Sequence, residues 1–167
     1  LENAIRERNE IKCFYSFDDY TKELVLKPLK IANYEGFWYL VALDGRNDVL
    51  KKYYLKNIKT ITVLETVFES SAKLDDLLDN SISIWFDHTM EPYKVTLHIS
   101  KEISKYFQRK PISKTQKIES LYEDGSMDVS VEITNDMEII PVVKYWLPHI
   151  RILEPKSIVE KIEKDLE

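Results

Sequence analysis

The 167-residue sequence predicts an α+β protein of two small domains, a curled β-barrel followed by a unit in which helices alternate with strands. Three observations lead there. Short apolar and aromatic runs recur at close spacing from Ile11 to Leu64, with turn residues between them. From Tyr93 onward, alternating runs give way in turn to stretches with helical spacing. The three glycines lie in Tyr34-Glu35-Gly36, Asp44-Gly45-Arg46-Asn47 and Asp124-Gly125-Ser126. A chain so sparing with glycine places it where positive φ is wanted, in tight turns between antiparallel strands.

Leu1 to Arg8 reads as the tail of a helix, so residues 1–9 are expected to end a linker and the chain to be part of a longer protein. Strands are expected at Ile11 to Ser16, Leu24 to Ile31, Gly36 to Leu43, Val49 to Leu55 and Ile58 to Leu64, within a first domain over residues 10–70. Pro28 should mark a bulge or an edge, because it brings no ladder donor. Five short strands cannot leave a flat sheet with bare edges, and a small curled barrel is the expected closure. Alternation along the fourth strand puts Lys51, Tyr53, Leu55 and Asn57 on one face and Lys52, Tyr54 and Lys56 on the other. Either face can be the core, since a slip of one residue exchanges them. Trp38 and Leu40 flank Tyr39 on a central strand and read as core.

Residues 71–91 carry one basic and five acidic side chains, which marks an acidic connector with a short helix around Lys73 to Leu78. The flanking regions are balanced, with 11 basic and 11 acidic residues before it and 12 and 13 after. Over residues 92–167 the expected order is strand Tyr93 to Ile99, a helix capped by Ser100 through Phe107, and a hairpin of Gln116 to Tyr122 with Met127 to Thr134. Asn135 and Glu138 offer a capping box for a helix reaching Leu147. Strand Ile150 to Leu153 and an amphipathic helix after Pro155, with Ile158, Val159, Ile162 and Leu166 on one face, complete a βαββαβα order. That order suggests a ferredoxin-like unit.

Composition bounds the function. Hydrophobic residues are 44% and charged residues 32%, enough for a real core, and no run approaches the roughly 18 apolar residues of a membrane span. No signal peptide is apparent, and a cytoplasmic location is expected. The lone Cys13 forbids an internal disulfide and a thiolate metal cluster, while His88, His98 and His149 are too dispersed for a short metal motif. No cofactor is expected. A net charge of -5 argues against a nonspecific coater of duplex DNA. Nucleophile elbows, Walker loops and dinucleotide fingerprints are lacking, and pairs such as Asp18-Asp19 and Asp75-Asp76 sit in solvated segments, so an enzyme is not expected.

What remains is an interleaving of cations and aromatics. Six of the ten tyrosines (Tyr15, Tyr20, Tyr34, Tyr39, Tyr53, Tyr54) lie in the first domain beside Lys12, Lys27, Lys30, Lys51, Lys52, Lys56 and Lys59. Aromatic faces stack bases and ammonium groups meet phosphates, as small barrels do with single-stranded nucleic acid. The plainer account has tyrosines filling a core too small for aliphatics alone and lysines keeping the exterior soluble.

Several segments carry a resemblance. Ile11-Lys12-Cys13-Phe14-Tyr15, Leu26-Lys27-Pro28-Leu29 and Gly36-Phe37-Trp38-Tyr39-Leu40-Val41-Ala42 resemble the WYL domain, named for the Trp-Tyr-Leu found here at 38 to 40. Lys51-Lys52-Tyr53-Tyr54-Leu55-Lys56-Asn57-Ile58 resembles the family's R-x-F-x-L-x-R-I stretch. The second half is similar to the C-terminal extension of that family through Gln116, Asp124-Gly125, Trp146 and Ile150-Arg151-Ile152-Leu153-Glu154-Pro155. The resemblance implies an Sm-like, SH3-type small barrel in a bacterial transcriptional regulator, normally preceded by a winged helix-turn-helix that binds operator DNA. It further implies a sensor for a nucleotide or a single-stranded nucleic acid, and an extension that supports a homodimer.

Carried over residue by residue, Tyr15 matches the family's first-strand tyrosine, Lys27 precedes the shared Pro28, Lys51 replaces the first Arg of the later motif and Tyr53 its Phe. Asn57 stands where a second Arg is usual, which removes a charge and the planar fork that grips phosphate. Leu147 stands where the extension often has Gly. The expected ligand-binding set is Tyr15, Lys27, Tyr39, Lys51, Tyr53 and Asn57, with the tyrosines stacking or hydrogen-bonding, the lysines on phosphate and Asn57 tuning affinity. Two other readings use the same residues differently: a ligand-free dimerisation scaffold, and direct binding of single-stranded RNA.

Overall fold

In the computed structural model, which describes residues 1–167, the first unit spans Leu1–Asp75. Helix α1 (Glu2–Glu7) leads into strands β1 (Asn9–Phe17), β2 (Tyr20–Tyr34), β3 (Phe37–Asp44), β4 (Leu50–Tyr54) and β5 (Ile58–Val67), and helix α2 (Ala72–Asn80) runs across its end. The five strands are antiparallel in the order β4-β3-β2-β1-β5. β2 serves two partners: Tyr20 to Leu26 pairs with β1, and Leu26 to Tyr34 pairs with β3. The register slips between Pro28 and Lys30, where a residue without an N–H was expected to break the ladder.

The expected barrel is not closed by strand pairing. β4 and β5 are the two edges of an open sheet, because the chain leaves β4 after Tyr54 in a 3-10 turn, Leu55–Asn57, and crosses to the far side of β1. The alternation predicted through Asn57 therefore stops at Tyr54. A side chain does part of the closing instead: the Tyr54 N–H donates to the Tyr15 hydroxyl at 3.3 Å, joining β1 to β4.

Turn chemistry follows sequence at two glycines and departs from it at the third. Glu35 (φ 51°) and Gly36 (φ 85°) are both left-handed, as a primed two-residue hairpin loop requires, and Gly125 has φ 92°. Gly45 is not left-handed; the residue of its loop with positive φ is Asp48 (φ 56°). Glycine is needed at 45 for room, since a Cβ there would lie 2.8 Å from the Val25 carbonyl oxygen, to which the Gly45 N–H donates at 2.8 Å.

Alternation sends Ile11 and Cys13 of β1, Leu24 and Leu26 of β2, and Leu40 and Ala42 of β3 to one face, where they are buried with Tyr53, Ile58 and Ala4 of α1. Leu40 is core as expected. Trp38 is 52% exposed, because its position at the β2–β3 hairpin lies beyond the reach of that core. Arg8, with φ 57°, ends α1; its carbonyl accepts the Phe68 N–H at 2.9 Å, and its guanidinium donates to Ser70 and, at 3.2 Å, to Asp75.

The second unit, Asp76–Glu167, is built from β6 (Tyr93–Ile99), α3 (Ser104–Arg109), β7 (Lys117–Leu121), β8 (Met127–Ile133), α4 (Ile140–Trp146), β9 (Ile150–Glu154) and α5 (Lys156–Leu166). Its antiparallel sheet has the order β7-β8-β6-β9, so the first strand is central. Val95, Leu97 and Ile99 of β6 and Met127, Val129, Val131 and Ile133 of β8 point to one face and bury against Phe107, Val143, Ile158 and Ile162 of the helices. Of the predicted apolar face of α5, Leu166 is 60% exposed in the last turn.

Two predicted caps are used otherwise. α3 starts at Ser104, not after Ser100, whose hydroxyl is paired with His149 Nδ1 at 3.0 Å. Asn135 does accept from the Met137 N–H at 2.9 Å, but it caps a 3-10 turn, Asp136–Glu138, and α4 begins later with Pro141 in its first turn. Glu138 does not complete the box. It is 2% exposed and accepts from the N–H groups of Ile82 (3.0 Å) and Thr134 (2.8 Å) and from the Thr134 hydroxyl (3.2 Å). Thr134 in turn accepts the Asp87 N–H at 2.8 Å, and Ile84 and Phe86 are buried, so residues 82–87 are strapped to this unit.

Candidate ligand site

The cross-strand register divides the predicted site residues between the two faces of the first sheet. Leu40 pairs with Tyr53 and Ala42 with Lys51, so both β4 side chains lie on the core face. Tyr15, two residues beyond Cys13 in β1, shares that face. Its ring meets Tyr53 edge-on, with centroids 5.4 Å apart and planes at 75°. Tyr53 is buried and Lys51 exposed, so the row runs from the core to its rim. The face of β4 that is core is therefore the one bearing Tyr53.

The other predicted residues are elsewhere. Tyr39 pairs with Tyr54 across β3 and β4 on the opposite face, where the two rings and Phe37 form an aromatic group with centroids 5.9 to 6.0 Å apart. Lys27 pairs with Leu43, also away from the core face, and its ammonium is held by Asp48 at 2.7 Å. Asn57 is half-buried in the 3-10 turn that follows β4. The sheet thus brings together Tyr15, Lys51 and Tyr53 and separates them from Lys27 and Tyr39.

Two residues that sequence reading treated only as a turn join the group. Asp44 ends β3 on the core face, opposite Leu26, and is 2% exposed. Its carboxylate takes the Arg46 backbone N–H at 2.9 Å and the guanidinium side-on, Nε and Nη2 each at 3.2 Å. The bonds from Arg46 hold the Asp44 carboxyl below the usual carboxylate range, outweighing its burial, with Lys51 adding a smaller effect. The side-on fork is spent on Asp44, but the guanidinium stays open to solvent with its orientation set, and its end-on edge, Nη1 with the second hydrogen of Nη2, suits a phosphate or carboxylate. The signal was present in Asp44-Gly45-Arg46: an acid at a strand end facing the core, two residues before an arginine.

Tyr53 completes the geometry. Its hydroxyl is buried with no hydrogen-bond partner among the protein groups. Burial, and then the charge of Asp44, push this phenol up to about 12, so it stays a neutral donor. A buried donor left unpaired costs about 1–3 kcal/mol, a cost that a ligand acceptor would remove.

Taken as a whole, the chain is a two-domain α+β module: an antiparallel sheet with a polar, cationic rim on its core face, then a helix-backed four-stranded sheet. Family comparison supplies the identity. A WYL domain matches residues 1–63 and a WCX domain residues 91–167, so the chain is a WYL domain followed by a WCX domain. A search among curated proteins returned no match. Among solved structures, proteasome accessory factor B/C (PafBC) of Arthrobacter aurescens is 17% identical over 98% of this chain and 25% of its own, with a TM-score of 0.40. A CRISPR Cas-related protein is 13% identical over 98% of this chain and 47% of its own, with a TM-score of 0.49. The chain spans only these fractions of both, and likeness so loose fixes no detail of the site.

Proposed function

We propose that the chain is the effector-sensing module of a WYL-type transcriptional regulator, and that its effector is a nucleotide or a single-stranded nucleic acid. The observation that carries this reading is the side-on Asp44–Arg46 pair beside the unpaired Tyr53 hydroxyl. Arg46 supplies the planar fork whose usual source in the motif is replaced by Asn57, and Lys51 adds a mobile charge on the same rim. A phosphate is held by Arg46 and Lys51, Tyr53 donates to an oxygen of the ligand, and the edge-on Tyr15 ring flanks the base or sugar. Lys27 and Tyr39, on the opposite face, belong to the structure of the sheet in this reading rather than to the site.

The first unit is then an opened relative of the Sm-like barrel and the second a ferredoxin-like domain. Signalling works by population shift: a ligand that prefers one arrangement of the two units biases an attached DNA-binding domain toward or away from its operator. The hinge falls within α2, because the residues after it are strapped to the second unit by Glu138 and Thr134. Fluorescence anisotropy with short single-stranded DNA and RNA tests the reading; saturable binding that weakens with salt is expected, and its absence at low salt contradicts it.

One observation favours assembly as a second role. β5 is an edge strand of ten residues that exposes Ile61 (39%), Val63 (50%) and Val67 (67%), an apolar, unpaired ladder of the kind that adds strands from another chain. A homodimer formed there would persist without effector, and sedimentation of the chain alone distinguishes it from a ligand-driven one.

A further inference from the structure

The sheet of the second unit has a second face, and it is not solvated at random. Where β6 and β8 bury every other residue, the intervening side chains form a polar surface, and a concavity of about 500 Å³ opens on it, lined by His98, Tyr122, Asp124, Asp128, Arg151 and Leu153. That volume lies in the range of small-molecule sites. The centre is a straight row across three strands: Asp128 of β8 is directly opposite His98 of β6, which is directly opposite Arg151 of β9.

The hydrogen bonds of this row show which capacities are already taken. Asp128 accepts from Tyr122 Oη at 2.5 Å on one oxygen and pairs with His98 Nδ1 at 2.7 Å on the other. Burial pushes its carboxyl up, but the bonds from Tyr122 and His98 and the charge of Arg151 outweigh this and keep it below its ordinary value. An ionised Asp128 only accepts, so the His98 Nδ1 carries the proton and Nε2 is the nitrogen left for another molecule. Asp124 is also consumed, accepting the Ser126 N–H at 2.9 Å and the Ser126 hydroxyl at 2.6 Å on a single oxygen, with Lys101 acting on it as a countercharge. Arg151 is different. Its guanidinium is exposed and makes no hydrogen bond or ion pair within the chain.

We infer that this concavity is a second ligand site, separate from the one on the first unit, and that it takes a small organic anion: a carboxylate or phosphate monoester on an apolar or aromatic body. Arg151 holds the anionic group through its fork, and His98, fixed in orientation by Asp128, meets it from the adjacent strand: its unprotonated Nε2 accepts the remaining O–H of a phosphate monoester, or donates to a carboxylate once the ring is protonated. The ring of Tyr122, 6.0 Å from that of His98 by centroids, and the side chain of Leu153 give the body of the ligand its apolar contact. The two carboxylates do not repel such a ligand as a pair, since each is already engaged by protein donors and offset by a nearby cation.

The test uses the full chain, isotopically labelled, titrated with phenyl phosphate and separately with inorganic phosphate while the ring nitrogens of His98 and the Nε of Arg151 are followed by NMR. Saturable shifts at both residues are expected with phenyl phosphate, and Arg151→Met should weaken binding roughly tenfold or more, the size of a lost charge-assisted contact. His98→Gln should weaken it as well, whereas Arg46→Ala and Lys51→Ala in the first unit should leave it unchanged. Arg151 is exposed, so its replacement leaves the fold intact, and circular dichroism verifies this. Undisturbed His98 and Arg151 signals, or equal affinity in Arg151→Met, would overturn the site. Inorganic phosphate binding as tightly as phenyl phosphate would overturn the ligand class.

Discussion

The guanidinium of Arg46 lies side-on against the buried carboxylate of Asp44, with Nε and Nη2 each 3.2 Å from a different oxygen. One partner is buried and the other faces solvent, so the pair fixes the direction of a surface charge more than it stabilises the fold. Its consequence for pH can be worked out by sign. The folded-state pKa of Asp44 lies below the 3.8 of an unperturbed carboxyl, so its contribution to stability is fully present above about 3.8 and is lost as pH falls through the lower folded value. Asp44→Asn should be less stable than the parent at pH 7, and the difference should shrink below pH 3.8. Urea unfolding of the two proteins across that window measures it; a difference that is constant with pH would mean the charge contributes nothing.

Tyr53→Phe separates binding from folding. The hydroxyl it removes is buried and unpaired, so its loss should leave stability unchanged or raise it by up to about 1 kcal/mol. Affinity for an oligonucleotide should fall. A variant that is destabilised and binds normally would identify Tyr53 as a packing residue only.

Glu138→Ala tests the strap on the second unit. It leaves the N–H groups of Ile82 and Thr134 without their acceptor in a site that is 2% exposed, at a cost of about 1–3 kcal/mol for each group. Hydrogen exchange at Ile82 should accelerate along with the loss in melting temperature. Exchange at the parental rate would show that residues 82–87 are held by Ile84, Phe86 and the Asp87–Thr134 hydrogen bond without help from Glu138.

Much of this architecture was readable from residues. Strands with one buried face alternate, and β1 to β4, β6, β8 and β9 were found within a few residues of their predicted positions for that reason, with one proline placing the bulge at Pro28; β5 and β7, almost wholly exposed, were found from their apolar residues and the turns beside them. Closure was not readable, because whether β4 meets β5 depends on where a three-residue turn sends the chain, and no local pattern in Leu55–Asn57 encodes it. Trp38 reads as core by its alternation with Leu40, yet core membership also needs apolar neighbours across the sheet, and at the hairpin end its partner is the polar Asn33. The same limit applies to the sites. Lysines and tyrosines on β1 and β4 could be assigned to strands but not to a shared face, since face depends on register. Asp44 and Arg46 were hidden inside a turn signal, and the row of Asp128, His98 and Arg151 joins three strands far apart in sequence.

The most direct test of the sensing site is oligonucleotide anisotropy on the parent protein, Arg46→Ala, Lys51→Ala and, as a control in the second unit, Lys156→Ala. Each of the first two substitutions should weaken binding roughly tenfold, and the control should match the parent. Equal affinity in all four proteins, or an equal loss in all three variants, would contradict a site built on Arg46, Lys51 and Tyr53.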